Sequence, residues 1–185
     1  MRFHLRPQKS CKDVAKQGSL NCGSISNPRR ARAGAAEMVS SSSISSWVNG
    51  AENPSDEWNG FVVATLFSNL QISGFAFVIE GHEGGFCKAV SGLFHGLGSA
   101  SLTEALALRE ALALAEDNMP DAGSSFTDSQ IVCNALGSCL DDLSEFGCVI
   151  KDCLFILARR TNIQVKWIRG QANGGAHTLV RASYS

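Results

Sequence analysis

A chain of 185 residues, 44% of them hydrophobic, is long enough for one ordinary domain with a real core plus an extension. Its longest apolar runs, Phe61 to Phe67 and Cys153 to Ala158, fall far short of the roughly 20 residues that span a bilayer, so no membrane segment is expected. The net charge of −1 conceals two opposite stretches: residues 1–36 set eight Lys or Arg against Asp13 alone (+7), and residues 58–185 set eight bases against twelve acids (−4), a poor match for a phosphate backbone.

Residues 1–57 show no sustained periodicity and contain Ser40-Ser-Ser-Ser-Ile-Ser-Ser46. Such a basic, serine-rich stretch reads as a disordered extension. Its acid-poor start also has the composition of an organelle transit peptide, although it forms no clear amphipathic helix.

From Trp58 the pattern changes. Phe61–Ser68, Ile72–Glu80 and Phe86–His95 are rich in Phe, Val, Ile and Leu and are separated by turn residues, which predicts an antiparallel meander. After Gly96 and Gly98 an Ala/Leu helix is predicted over Leu102 to Asn118, stopped by Pro120. Its Leu108, Leu112 and Ala115 share a face with Glu104. A short strand over Ser124–Thr127 follows, then helices over Ser129–Leu136 and Phe146–Arg159, a strand over Ile163–Ile168 and a last helix over Gly174–Ala182. The order βββαβααβα implies a mixed five-stranded α/β sheet with helices on its faces, over residues 58–185.

Two acids stand out in this scheme. Glu104 lies at a helix start and Asp128 at a strand end, so a compact fold could bring both carboxylates to one place, as metal-assisted phosphodiester chemistry requires. Each also has a structural reading. Ser101-x-x-Glu104 fits a capping box, and Asp128 is placed to cap the helix that follows it. The seven cysteines include no C-x-x-C pair, and nothing marks an oxidising compartment. Reduced thiols and an intracellular setting, nuclear or cytoplasmic, are expected, with Cys133, Cys148 and Cys153 acting as small apolar residues of helices.

Three segments resemble one family. Thr103-Glu-Ala-Leu-Ala-Leu-Arg-Glu-Ala-Leu112, Phe126-Thr-Asp-Ser-Gln-Ile-Val132 and Trp167-Ile-Arg-Gly-Gln-Ala-Asn-Gly-Gly-Ala-His-Thr-Leu-Val-Arg-Ala-Ser183 are similar to the ribonuclease H-type domain of plants and of plant retroelement reverse transcriptases. The resemblance covers residues 58–183 and implies a ribonuclease H-like fold. It also implies cleavage of the RNA strand of RNA–DNA hybrids by four acids and two magnesium ions. Glu104 matches the second acid and Asp128 the third, while His177 stands where the family's fourth acid, often histidine in plant copies, is found. The resemblance thus makes Glu104, Asp128 and His177 the catalytic and metal-binding set. The first acid is missing: Val62-Val-Ala-Thr-Leu-Phe67 places Val63 there, and no Asp or Glu lies between Trp58 and Ile79 to replace it.

Two carboxylates and a neutral imidazole hold Mg2+ poorly, because magnesium prefers oxygen ligands and negative charge. Weakened or lost hydrolysis is therefore expected. A non-catalytic nucleic-acid-binding domain, or a retroelement-derived protein-interaction domain, is the alternative. For backbone contact the candidates are Lys88, Lys166, Arg169, Asn173 and Arg181, and a monomer is expected.

Overall fold

The computed structural model describes residues 43–44, 47–50, 57–81, 83–96, 98–138 and 141–182. Three long strands open the domain: β3 (Glu57–Phe67), β4 (Ile72–Gly81) and β5 (Phe86–His95). They pair antiparallel as a meander. Helix α1 (Ala100–Asn118) then leads to β6 (Ala122–Thr127), and α2 (Gln130–Leu136) and α3 (Glu145–Arg159) lead to β7 (Ile163–Trp167). Because each of these crossovers returns in the same direction, β3–β6 and β6–β7 are parallel. A 3-10 turn (Gly170–Asn173) and α4 (Gly174–Ala182) close the described chain.

The sheet has seven strands rather than the five expected. Two short strands, β1 (Ser43–Ile44) and β2 (Val48–Asn49), come from the stretch assigned no fold and both pair antiparallel with β5. Between them Trp47 packs on the core and meets Phe77 edge-on, with ring centroids 6.5 Å apart. Polar neighbours hid this segment because its two-residue strands are too short to carry a period-2 signal. The rest of the expected basic extension lies outside the described residues.

Strand alternation sorts the core onto two faces. Trp58, Val62, Phe75, Phe77, Ile79, Val90 and Phe94 form one cluster with α1 and α3. Leu108, Leu112 and Ala115 of α1 are fully buried in it, as the helical spacing predicts, each leucine contributing about 2 kcal/mol. Trp58 crosses the backbone at Gly123, where a β-carbon would overlap the indole, and donates its Nε1–H to Pro120 O at 3.1 Å. Arg160 fastens the end of α3 to the end of α1, donating to the carbonyls of Glu116, Met119 and Pro120 at 2.9–3.1 Å. Cys153 is wholly buried between the two helices. Burial pushes its thiol up to about 12, in keeping with an inert apolar role.

The opposite face carries a smaller cluster, Val63, Ala76, Ala176 and Val180, formed where α4 lies across β3 and β4. Among the described residues no helix is long and apolar enough to cross a membrane.

Candidate active site and nucleic-acid interface

The parallel ladder between β3 and β6 ends at Val62↔Thr127. One residue beyond that rung come Val63, still within β3 and paired with Ala76 of β4, and Asp128, just past the end of β6. Helix α4 brings His177 to the same point, with Nε2 at 3.2 Å from Asp128 Oδ2. Glu104, one turn into α1, accepts a hydrogen bond from the backbone N–H of Ala64 and lies close enough to Asp128 to feel its charge. Residues far apart in sequence thus converge at one end of the sheet.

Neither acid is spent on capping. Helix α1 starts two residues earlier than the capping-box pattern suggests: Ser99 is the N-cap, its hydroxyl accepting from Leu102 N at 3.2 Å. Glu104 lies beyond that capped first turn, so its carboxylate has no free N–H to satisfy there. Likewise Ser129, not Asp128, caps α2 by accepting from Val132 N. Serine is as good a cap as aspartate, and the sequence Asp-Ser left both possibilities open.

Glu104 is the most perturbed acid of the described residues. Burial, reinforced by the Asp128 charge, raises its carboxyl from 4.5 to about 8 despite the Ala64 hydrogen bond. Its Oε2 is buried without a hydrogen-bond partner. Close by, two groups that spacing did not single out fix Asp128. Trp167 donates its Nε1–H to Asp128 O at 3.1 Å, and an ideal β-carbon on Gly170 would stand 3.1 Å from Asp128 Oδ2, so only glycine leaves that carboxylate uncrowded. A Trp and a Gly after the last strand are the signals that could have marked them.

The two-magnesium centre implied by the resemblance does not fit these residues. Val63 offers no donor and is sealed between Ala76, Ala176 and Val180. Burial and the Asp128 charge both disfavour the ionised form of Glu104, and Asp128 Oδ2 lies 3.2 Å from His177 Nε2. Among the described residues no group of three or more His, Cys, Asp and Glu is placed to hold a metal ion.

The proposed backbone contacts divide. Asn173 is buried and donates Nδ2–H to Val62 O at 2.8 Å, tying the turn before α4 to β3. That corrects its assignment to nucleic acid: the amide is committed to the sheet. Lys88 is half-buried on β5 with its ammonium 5.8 Å from the Trp47 ring, three residues along from Ser91, which lies in Val63's cross-strand row. Lys166 reaches Ser124 Oγ at 2.9 Å and lies over Phe126. Arg169 and Arg181 are exposed, the first two residues beyond Trp167 and the second one turn beyond His177.

A family model described as reverse transcriptase-like matches residues 61–183. The chain belongs to this ribonuclease H-like family. Solved structures agree on the fold. Ribonuclease H1 from Halobacterium salinarum superposes with a TM-score of 0.60 at 20% identity, over 68% of this chain and 95% of that one. The N-terminal ribonuclease H domain of a Mycobacterium tuberculosis protein gives 0.60 at 16%, over 69% and 93%. LC11-RNase H1, solved in complex with an RNA/DNA hybrid, gives 0.57 at 14%, over 69% and 99%. No curated protein matches. In this fold Glu104 and His177 both approach Asp128, the first through its charge and the second at 3.2 Å.

Proposed function

We propose that this ribonuclease H-like domain binds RNA–DNA hybrid and has lost the metal-dependent hydrolysis for which the family resemblance provides. The observation that carries this reading is Val63. The first acid's place, directly beside Asp128, is filled by an apolar side chain packed against Ala76, Ala176 and Val180. Without that carboxylate, the remaining acids bind a cation poorly, and Glu104 keeps its proton instead. Hydrolysis needs a metal-activated water and neutralisation of the transition-state charge, and this donor set supplies neither well.

Binding depends on different groups. Arg169, two residues beyond Trp167, and Arg181, one turn beyond His177, are exposed and can meet phosphates, while shape and sugar hydroxyls distinguish a hybrid from other duplexes. The hybrid complex of LC11-RNase H1 supports this class of partner. A retroelement origin is supported by the match to a family model described as reverse transcriptase-like.

The test is a gel shift of hybrid, duplex DNA and duplex RNA, with and without magnesium, run beside release of labelled RNA from the hybrid. Preferential hybrid binding without release is expected. Robust magnesium-dependent release, abolished by Glu104→Gln, would overturn the loss of catalysis. Absence of hybrid binding would favour the protein-interaction alternative.

A further inference from the structure

Trp167 is the largest apolar side chain left exposed near the site, at 46% of its surface. The third residue beyond Asp128 is Ile131, on the first turn of α2 and 60% exposed. Isolated exposed apolar residues are ordinary, but this indole is held in place. It stands on the last rung of the β6–β7 ladder, opposite Thr127, and its Nε1–H is anchored to Asp128 O at 3.1 Å. The ring is therefore fixed relative to the Asp128 carboxylate, which His177 contacts from α4. Two residues on, the exposed Arg169 can place a guanidinium beside whatever rests on the ring.

We propose that Trp167 is a nucleotide-stacking residue that takes an unpaired base from a single-stranded flank of the bound nucleic acid. Bases inside a duplex already stack on their neighbours and show the protein only their edges. An exposed indole gains its full stacking energy only with an unpaired base, at about 1–3 kcal/mol per base, or roughly five- to 150-fold in affinity. Little of this is lost to ordering, because the hydrogen bond to Asp128 O already holds the ring. The inference rests on nucleic-acid binding by the domain and adds a preference for hybrids with single-stranded overhangs.

The test is fluorescence anisotropy with a labelled blunt RNA–DNA hybrid and with the same hybrid carrying a short single-stranded overhang. The wild-type chain is compared with Trp167→Ala and Trp167→Phe. The expected result is tighter wild-type binding of the overhang substrate by at least about fivefold. Trp167→Ala should lose at least about fivefold more affinity for the overhang substrate than for the blunt hybrid, and Trp167→Phe should keep most of the overhang gain. A second measurement needs no variant. Trp58 is 1% exposed, so acrylamide-accessible emission comes from Trp167 and the half-buried Trp47, and the overhang should protect it more than the blunt hybrid does.

Equal wild-type affinity for the two substrates would overturn the inference, as would an overhang gain that survives Trp167→Ala. Equal loss of blunt and overhang binding in both variants would assign Trp167 to positioning Asp128 and reject stacking. If blunt hybrid binds and the overhang adds nothing, only this inference falls. If neither binds, the proposed function falls with it.

Discussion

Replacing Glu104 with glutamine should change how stability depends on pH more than it changes stability at acid pH. The folded state holds the Glu104 proton up to about pH 8, whereas in the unfolded chain the carboxyl titrates near its ordinary 4.5. Below 4.5 both states carry the proton and the residue adds no slope. Between 4.5 and about 8 only the folded state keeps it, so each pH unit removes about 1.4 kcal/mol of stability from the wild-type chain. Across the whole window the loss approaches about 5 kcal/mol, with burial as its main cause and the Asp128 charge second. Glutamine has the same shape and no proton to lose. Urea unfolding of both chains at pH 5 and pH 9, with a chelator present, should show Glu104→Gln gaining several kcal/mol relative to wild type at the higher pH. Asp128→Asn, which removes the second cause, should shrink the wild-type slope without abolishing it. A Glu104→Gln difference that is the same at pH 5 and pH 9 would refute the placement of an ionisable carboxyl in a buried, charge-coupled position.

Three further outcomes are expected. Val63→Asp should destabilise the domain by about 2 kcal/mol or more in chelator, since it places a carboxylate among Ala76, Ala176 and Val180. Magnesium should recover part of that melting temperature and raise hybrid cleavage above the wild-type level, and no response of either kind would show that position 63 cannot complete the site. Asn173→Ala should cost about 1–3 kcal/mol in urea unfolding, because it leaves the buried Val62 carbonyl without its donor; an unchanged midpoint would mean the Asn173 bond is dispensable. Gly123→Ala should lower the melting temperature markedly by driving a methyl group into Trp58, whereas Gly84→Ala, at a turn with space but φ of +85°, should cost only about 1 kcal/mol.

Much of the architecture was legible because it is local. The apolar run Phe61–Phe67 marks a strand buried on both faces, the Leu108, Leu112, Ala115 spacing reports which side of a helix must be buried, and burial is what the fold enforces. The pairing of Glu104 with Asp128 was legible only through resemblance, since no local pattern links a helix start to a strand end. Local reasoning in fact gave both acids to caps that Ser99 and Ser129 supply, because several residues within one turn can serve and only the backbone's path chooses among them. The tertiary structure alone decided three things. It turned Asn173 inward to Val62, anchored Trp167 to Asp128, and raised the Glu104 carboxyl by burying it beside another charge. Each depends on elements that meet across the sheet, and distances of that kind are set by packing and not by spacing along the chain. The absence of an acid at position 63 needed no structure to see. That its place lies within an apolar cluster was decided when α4 folded across β3.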